Sequence, residues 1–129
     1  MKKLMKEAIV NIDVTVKIQE SPVPVPGPHE VLVRVVFAGV NPKDWKFPSI
    51  AETPHNSGDD VSGVVEDMGC DVWEFRKGDR VAGLHAFPEP YGAYAEYAIL
   101  PAHQMFRLPP NISFEEVSDR GSVAAAGMG

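Results

Sequence analysis

The chain is poor in several things, and each shortage excludes a class of function. It has one cysteine, Cys70, so no disulfide can form within the chain. Four-cysteine and two-cysteine, two-histidine zinc sites within one chain are excluded with it. Basic residues are in the minority, 12 against 18 acidic ones, for a formal net charge of −6. Nucleic acids and anionic membranes call for a basic patch, so neither is an expected partner. No stretch approaches the roughly 18 apolar residues of a membrane span. The basic start, Met1-Lys2-Lys3, is followed by Lys6, Glu7, Asn11 and Asp13, which interrupt any apolar core of a secretion signal. A cytoplasmic location is expected, and the Asn111-Ile112-Ser113 sequon then has no consequence.

Several catalytic signatures are missing. There is no His-Glu-x-x-His, no Gly-x-Ser-x-Gly and no Walker loop. His29, His55, His85 and His103 show no metal-ligand spacing, although a site shared between chains stays open. Gly127-Met128-Gly129 begins like a dinucleotide fingerprint, but no third glycine and helix follow it.

What is present is a turn-rich domain. The 129 residues include 11 glycines and 12 prolines, which suits a small β structure better than a helix bundle. A chain of this length buries roughly 65% of its unfolded surface. Leu4 to Val10 and Val14 to Ile18 read as a hairpin turning at Asn11-Ile12-Asp13. Ser21 to Pro28 holds four prolines and reads as an extended loop. Glu30 to Phe37 alternates as a strand, with Val31, Val33, Val35 and Phe37 on one face. Asn41-Pro42 marks a turn into a short helix, and residues 48–57 read as irregular. Further strands are expected at Asp60 to Gly69, Arg80 to Ala86, Tyr94 to Leu100 and Met105 to Leu108. Ser113 and Glu116 have capping-box spacing, so a helix should start there.

Candidate chemistry clusters after the first long strand. Asp44 and Lys46 flank Trp45 and precede Phe47. An amine among aromatic walls is a candidate acid or base; a surface ion pair beside an aromatic anchor is the alternative that the residues alone favour. His85 ends a strand, and either lines a cleft or bonds to backbone. Of Tyr91, Tyr94 and Tyr97, two or more are expected in the core or an interface and one at a ligand. The acid pairs Asp59-Asp60, Glu66-Asp67 and Glu115-Glu116 read as solvated faces or caps, because neighbours on a strand point to opposite faces. Cys70 has no adjacent basic residue and reads as inert.

Five segments together resemble a known family. They are Ala38-Gly39-Val40-Asn41-Pro42-Lys43-Asp44, Gly58 to Gly69, Lys77-Gly78-Asp79-Arg80-Val81, Gly92-Ala93-Tyr94-Ala95-Glu96-Tyr97, and Leu108 to Glu116. Their order and spacing resemble the GroES-like catalytic domain of medium-chain dehydrogenase/reductases. The zinc-independent quinone oxidoreductases and fungal trans-acting enoyl reductases are the nearest in pattern, the latter through Asn41-Pro42-x-Asp44-x-Lys46. The resemblance implies a mainly β fold, a partly open barrel with short helices, over residues 1–118. It makes 119–129 the remnant of a junction to a nucleotide-binding domain, with Asp119 and Arg120 where the family has small apolar residues.

The resemblance also implies a site. Zinc-dependent relatives carry a cysteine at the position of Asn41, and a histidine and glutamate at Asp59 and Asp60, so no metal is expected. Lys46, Asp44, His85 and Tyr94 are the implied catalytic candidates. Asn41, Trp45, Phe47 and Tyr91 are the implied substrate-facing ones. NADPH would bind only with a Rossmann partner, since the chain has no such domain of its own. The implied role is the substrate half of an NADPH-dependent enoyl or quinone reductase acting on a polyketide-like small molecule. Two alternatives stand beside it: a cofactor-independent isomerase, cyclase or dehydratase, and a non-catalytic accessory module. An incomplete barrel leaves strand edges unpaired, so a homodimer or a partner chain is expected.

Overall fold

The computed structural model describes residues 3–86 and 89–119. Among these residues seven strands and two short α-helices follow in the order β1 (Leu4–Val10), β2 (Val16–Pro22), β3 (Glu30–Ala38), α1 (Lys43–Ala51), β4 (Asp60–Met68), β5 (Arg80–Leu84), β6 (Tyr97–Pro101), β7 (Met105–Arg107) and α2 (Phe114–Asp119), with a single 3-10 turn at Ala102–Gln104 between β6 and β7. β1 and β2 form a hairpin sheet; the other strands form an antiparallel sheet ordered β6-β3-β4-β5-β7. The fold is mainly β, as expected, and neither sheet closes on itself.

The core lies inside the larger sheet. Val31, Val33, Val61, Val65, Val81, Ala98 and Leu100 are buried there, with Val72 and Phe75 from the connection between β4 and β5. β3 departs from simple alternation at its start, where Leu32 is buried as well. Leu32 packs with Met5, Tyr97 and Ile99, so the hairpin covers the second face of β3.

Phe37 corrects the expected pattern. The alternation places it on one face with Val31, Val33 and Val35, which turn inward, yet Phe37 is 41% exposed. Val35 opposes Gly63 while Phe37 opposes Ser62, so Val36 is an extra residue on β3. One inserted residue reverses the inward and outward faces beyond it.

Other boundaries shift for local reasons. The second hairpin strand begins at Val16, because the turn extends to Val14, which adopts φ 71°. Ser21 and Pro22 belong to β2 rather than to the loop. Tyr94 to Glu96 lie before β6 because their backbone serves β1: the Ala8 amide donates to the Tyr94 carbonyl at 2.7 Å and the Glu96 amide to the Lys6 carbonyl at 3.1 Å. The capping box forms as its spacing requires. The Glu116 amide donates to Ser113 Oγ at 3.1 Å, and the Ser113 amide donates to Glu116 Oε1 at 3.4 Å. Val117 of α2 then packs on Ala82 and Leu108. The expected junction beyond Asp119 lies outside the described residues. No helix among the described residues is long and apolar enough to cross a membrane.

Helix α1 reaches Ala51, through a region expected to be irregular. Pro48 lies inside it. Proline has no amide hydrogen, so it cannot bond the carbonyl of the residue four before it, Asp44. That carbonyl instead accepts the hydroxyl hydrogen of buried Ser57. The substitution of one bond for another ties α1 to the segment entering β4, and the candidate site is built at that joint.

Candidate active site

Two adjacent segments meet here: the first turn of α1 and residues 57–60. Asp44 is 2% exposed, and its carboxylate accepts three hydrogen bonds from described residues. The donors are the Asn41 amide at 2.9 Å, Lys43 Nζ at 2.8 Å and the Tyr94 hydroxyl. Lys43 also donates to Asp59 Oδ2 and to the Ser57 carbonyl, each at 2.6 Å. Asp59 Oδ1 lies 2.8 Å from His85 Nδ1, and His85 Nε2 donates to the Pro90 carbonyl at 2.7 Å. Asp60 accepts from the Asn41 side chain at 2.7 Å. The result is one continuous network from Pro90 through His85, Asp59, Lys43 and Asp44 to Tyr94.

Its electrostatics are settled by these contacts. Burial alone would lower the Lys43 pKa, but the hydrogen bonds and charges of Asp44 and Asp59 outweigh it and hold the ammonium above the ordinary amine range. Tyr94 is pushed well above the usual phenol range, first by burial and then by its bond to Asp44 and the charges of Asp44, Asp59 and Asp60. Gly58 makes room for that ring, since a Cβ there would sit 2.9 Å from Tyr94 Cδ1. Nearby, His55 stacks edge-on against Phe47 at 5.6 Å. Burial and then the neighbouring His85 lower its pKa, which favours the neutral ring.

The raised values predict a loss of stability in alkali. Below the ordinary values of 10.0 for tyrosine and 10.5 for lysine, folded and unfolded chains hold the same protons. Above them the unfolded chain releases protons that the folded chain keeps, so stability falls as pH rises. Urea midpoints followed from about pH 9 to about 11 should therefore fall more steeply for the native sequence than for Tyr94→Phe.

The structure brings four of the sequence-derived candidates, Asn41, Asp44, His85 and Tyr94, into this network. Trp45 and Lys46 are not in it; both are exposed on α1. Phe47 is half-buried against His55. Tyr91 has φ 68° and lines a hollow of about 210 Å³ with Val25, His85, Glu89, Pro90 and Ile99. Tyr97 is in the core. His85 has both of its proposed characters, since it bonds a backbone carbonyl and also borders this hollow.

Sequence reasoning missed Lys43, Ser57 and the burial of the acid pair. Asp59 and Asp60 are 6% and 3% exposed, so the solvated reading is corrected. They do diverge, as neighbours at a strand start must, but Asp59 reaches buried His85 and Asp60 the half-buried side chain of Asn41. The available signal was the amine of Lys43 directly before Asp44, inside the turn that Asn41-Pro42 announces. Among the described residues, no three histidine, cysteine, aspartate or glutamate side chains are arranged to hold a metal ion.

Residues 27–110, which contain every member of this network, match the alcohol dehydrogenase GroES-like domain family. The chain belongs to that family. It is 45% identical over 114 residues to the trans-enoyl reductase fsr4 of Gibberella fujikuroi, a match covering 87% of this chain and 34% of that protein. The quinone oxidoreductase of Coxiella burnetii superposes with a TM-score of 0.80 at 28% identity, covering 90% of this chain and 40% of that one. A mycobacterial structure complexed with NADPH superposes with a TM-score of 0.74 at 31% identity, covering 88% of this chain and 35% of that one. The chain thus spans about a third of the length of the fsr4 reductase. Its relatives are enoyl reductases and quinone oxidoreductases, which supports a reductase domain of the medium-chain type.

Proposed function

We propose that this chain forms the substrate side of an NADPH-dependent enoyl or quinone reductase in polyketide-type metabolism. The observation that carries this reading is the 45% identity to a trans-enoyl reductase across 87% of the chain, in a domain that buries a complete polar network. NADPH, held chiefly by a nucleotide-binding domain outside the described residues, would supply a hydride to the unsaturated substrate. This chain's own residues orient the acceptor. The network fixes the turn at Asn41 and the ring of Tyr94, whose hydroxyl keeps its proton and stays a hydrogen-bond donor. Exposed Trp45 and Tyr91 offer apolar surface to a hydrocarbon substrate. Lys46, exposed one helical turn beyond Asn41 and Pro42, is the group in this reading that delivers the one proton which, with the hydride, completes the reduction.

The test is turnover of a crotonyl thioester, followed as loss of NADPH absorbance. The chain is assayed alone and with the separately produced nucleotide-binding region of the Gibberella fujikuroi reductase. Turnover that needs both parts, and falls at least about tenfold in Lys46→Met, supports the reading. Absence of turnover and of NADPH binding by calorimetry in the mixture overturns it and favours cofactor-independent chemistry.

A further inference from the structure

The hairpin sheet has one covered edge and one open edge. On the covered side, Ala8 and Lys6 of β1 bond to Tyr94 and Glu96, and Val10 exchanges bonds with His55 at 2.8 and 3.0 Å. These are the even-numbered residues of β1, so its odd-numbered residues face β2. The register sets Ile9 against Lys17, Glu7 against Gln19 and Met5 against Ser21. The amides and carbonyls of Lys17, Gln19 and Ser21 therefore turn toward β1. Those of Val16, Ile18 and Glu20 turn outward, where β2 has no strand neighbour among the described residues.

This edge is also apolar. Val16 and Ile18 are 59% and 63% exposed, and Leu4, on the same face of the sheet, is 55% exposed. An unpaired row of backbone donors and acceptors beside exposed aliphatic side chains is a template for another strand.

We propose that a second copy of this chain covers the edge, with β2 pairing antiparallel to β2 about a two-fold axis through Ile18. The self-complementarity of the segment carries this choice. Outward-facing residues can hydrogen-bond only to outward-facing residues, which puts the axis on a residue and not between two. An axis at Val16 runs off the end of the strand, and one at Glu20 sets two glutamates directly opposite each other and Ile18 against Pro22, so the centres left to compare are Lys17, Ile18 and Gln19. A centre at Lys17 sets two lysines directly opposite each other, which is destabilising. A centre at Gln19 sets Val16 against Pro22, which has no amide hydrogen to give. A centre at Ile18 gives every outward amide and carbonyl of Val16, Ile18 and Glu20 a partner. It sets Lys17 against Gln19, whose side-chain carbonyl accepts from the ammonium. It also joins the two Ile18 side chains on the apolar face. Such a contact is isologous, so it closes at two copies.

Sedimentation of the intact chain tests this. The expected species has twice the 14.1 kDa mass of one chain and dissociates on dilution. Ile18→Pro removes an outward amide and no bond to β1, so it should return the mass to 14.1 kDa with an unchanged circular dichroism spectrum. Should that variant unfold, cysteine pairs decide the matter in a Cys70→Ser background. Paired Cα atoms at Ile18→Cys would lie about 5.5 Å apart, within disulfide range. At Glu20→Cys they would lie about 14 Å apart, well beyond it. Mild oxidation should cross-link the first and not the second. A single-chain mass at every concentration, a dimer that survives Ile18→Pro, or equal cross-linking at both positions overturns the proposal.

Discussion

Replacing Asp59 with alanine should lower the stability of the fold by about 3–5 kcal/mol. Asp59 is the shared acceptor of two cationic or polar donors, Lys43 at 2.6 Å and His85 at 2.8 Å. The three are not equally protected. Lys43 is partly exposed and keeps Asp44 and the Ser57 carbonyl. His85 is 3% exposed and, among the described residues, its ring keeps only the Pro90 carbonyl. Removing the carboxylate leaves Nδ1 of that ring buried without its partner, and an orphaned buried group costs more than the net worth of the bond it lost. The measure is the shift of the urea midpoint at constant slope. A second variant separates this cause from general damage. Asp59→Ala combined with His85→Leu removes donor and acceptor together, and should cost less than the sum of the two single changes. A loss below about 1 kcal/mol in Asp59→Ala would mean that water reaches the pair and that the network is not what holds the site.

Gly63→Ala should cost about 3 kcal/mol or more, the upper end for an overpacked interior. A Cβ on Gly63 would lie 2.1 Å from the Arg34 carbonyl oxygen and 2.9 Å from Val33 Cγ1. The first of these is backbone and cannot rotate aside. Gly63 sits opposite Val35, next to the bulge at Val36 that reverses the outer half of β3. Making room therefore means separating β3 from β4, the two central strands of the larger sheet. Gly78→Ala provides the control. Gly78 has φ +92° and open space around it, so alanine there meets only backbone strain, about 1 kcal/mol. Thermal unfolding of both variants gives the comparison. Equal losses would show that the sheet opens freely at Gly63 and that the close approach has no energetic consequence.

These two residues mark the boundary of what could be read in advance. Gly63 stands in a valine-rich run that reads plainly as a strand. The clash that makes glycine necessary involves Arg34, which is 29 positions earlier and becomes its neighbour only through the pairing of β3 with β4. From the sequence Asp59 reads as solvated, because neighbouring carboxylates on a strand point to opposite faces and do not converge. What reverses this is Lys43, and Lys43 reaches Asp59 only because α1 docks on residues 57–60. That docking depends in part on Pro48, whose missing amide frees the Asp44 carbonyl for Ser57.

By itself the sequence determined the local structure. Alternating valines set β3, the spacing of Ser113 and Glu116 set the start of α2, and Asn41-Pro42 set the turn into α1. It also determined the family, because five short motifs in a fixed order survive without any knowledge of contacts. Its single cysteine excluded a disulfide and a four-cysteine zinc site within one chain from composition alone. Only the tertiary structure decided which amine belongs to the network, which carboxylates are buried, which face Phe37 takes, and which strand edge is left open. Each of these depends on groups distant in sequence competing for one position in space. Hydrophobic periodicity and turn chemistry are properties of neighbours along the chain, whereas burial and ion pairing are properties of neighbours in the fold.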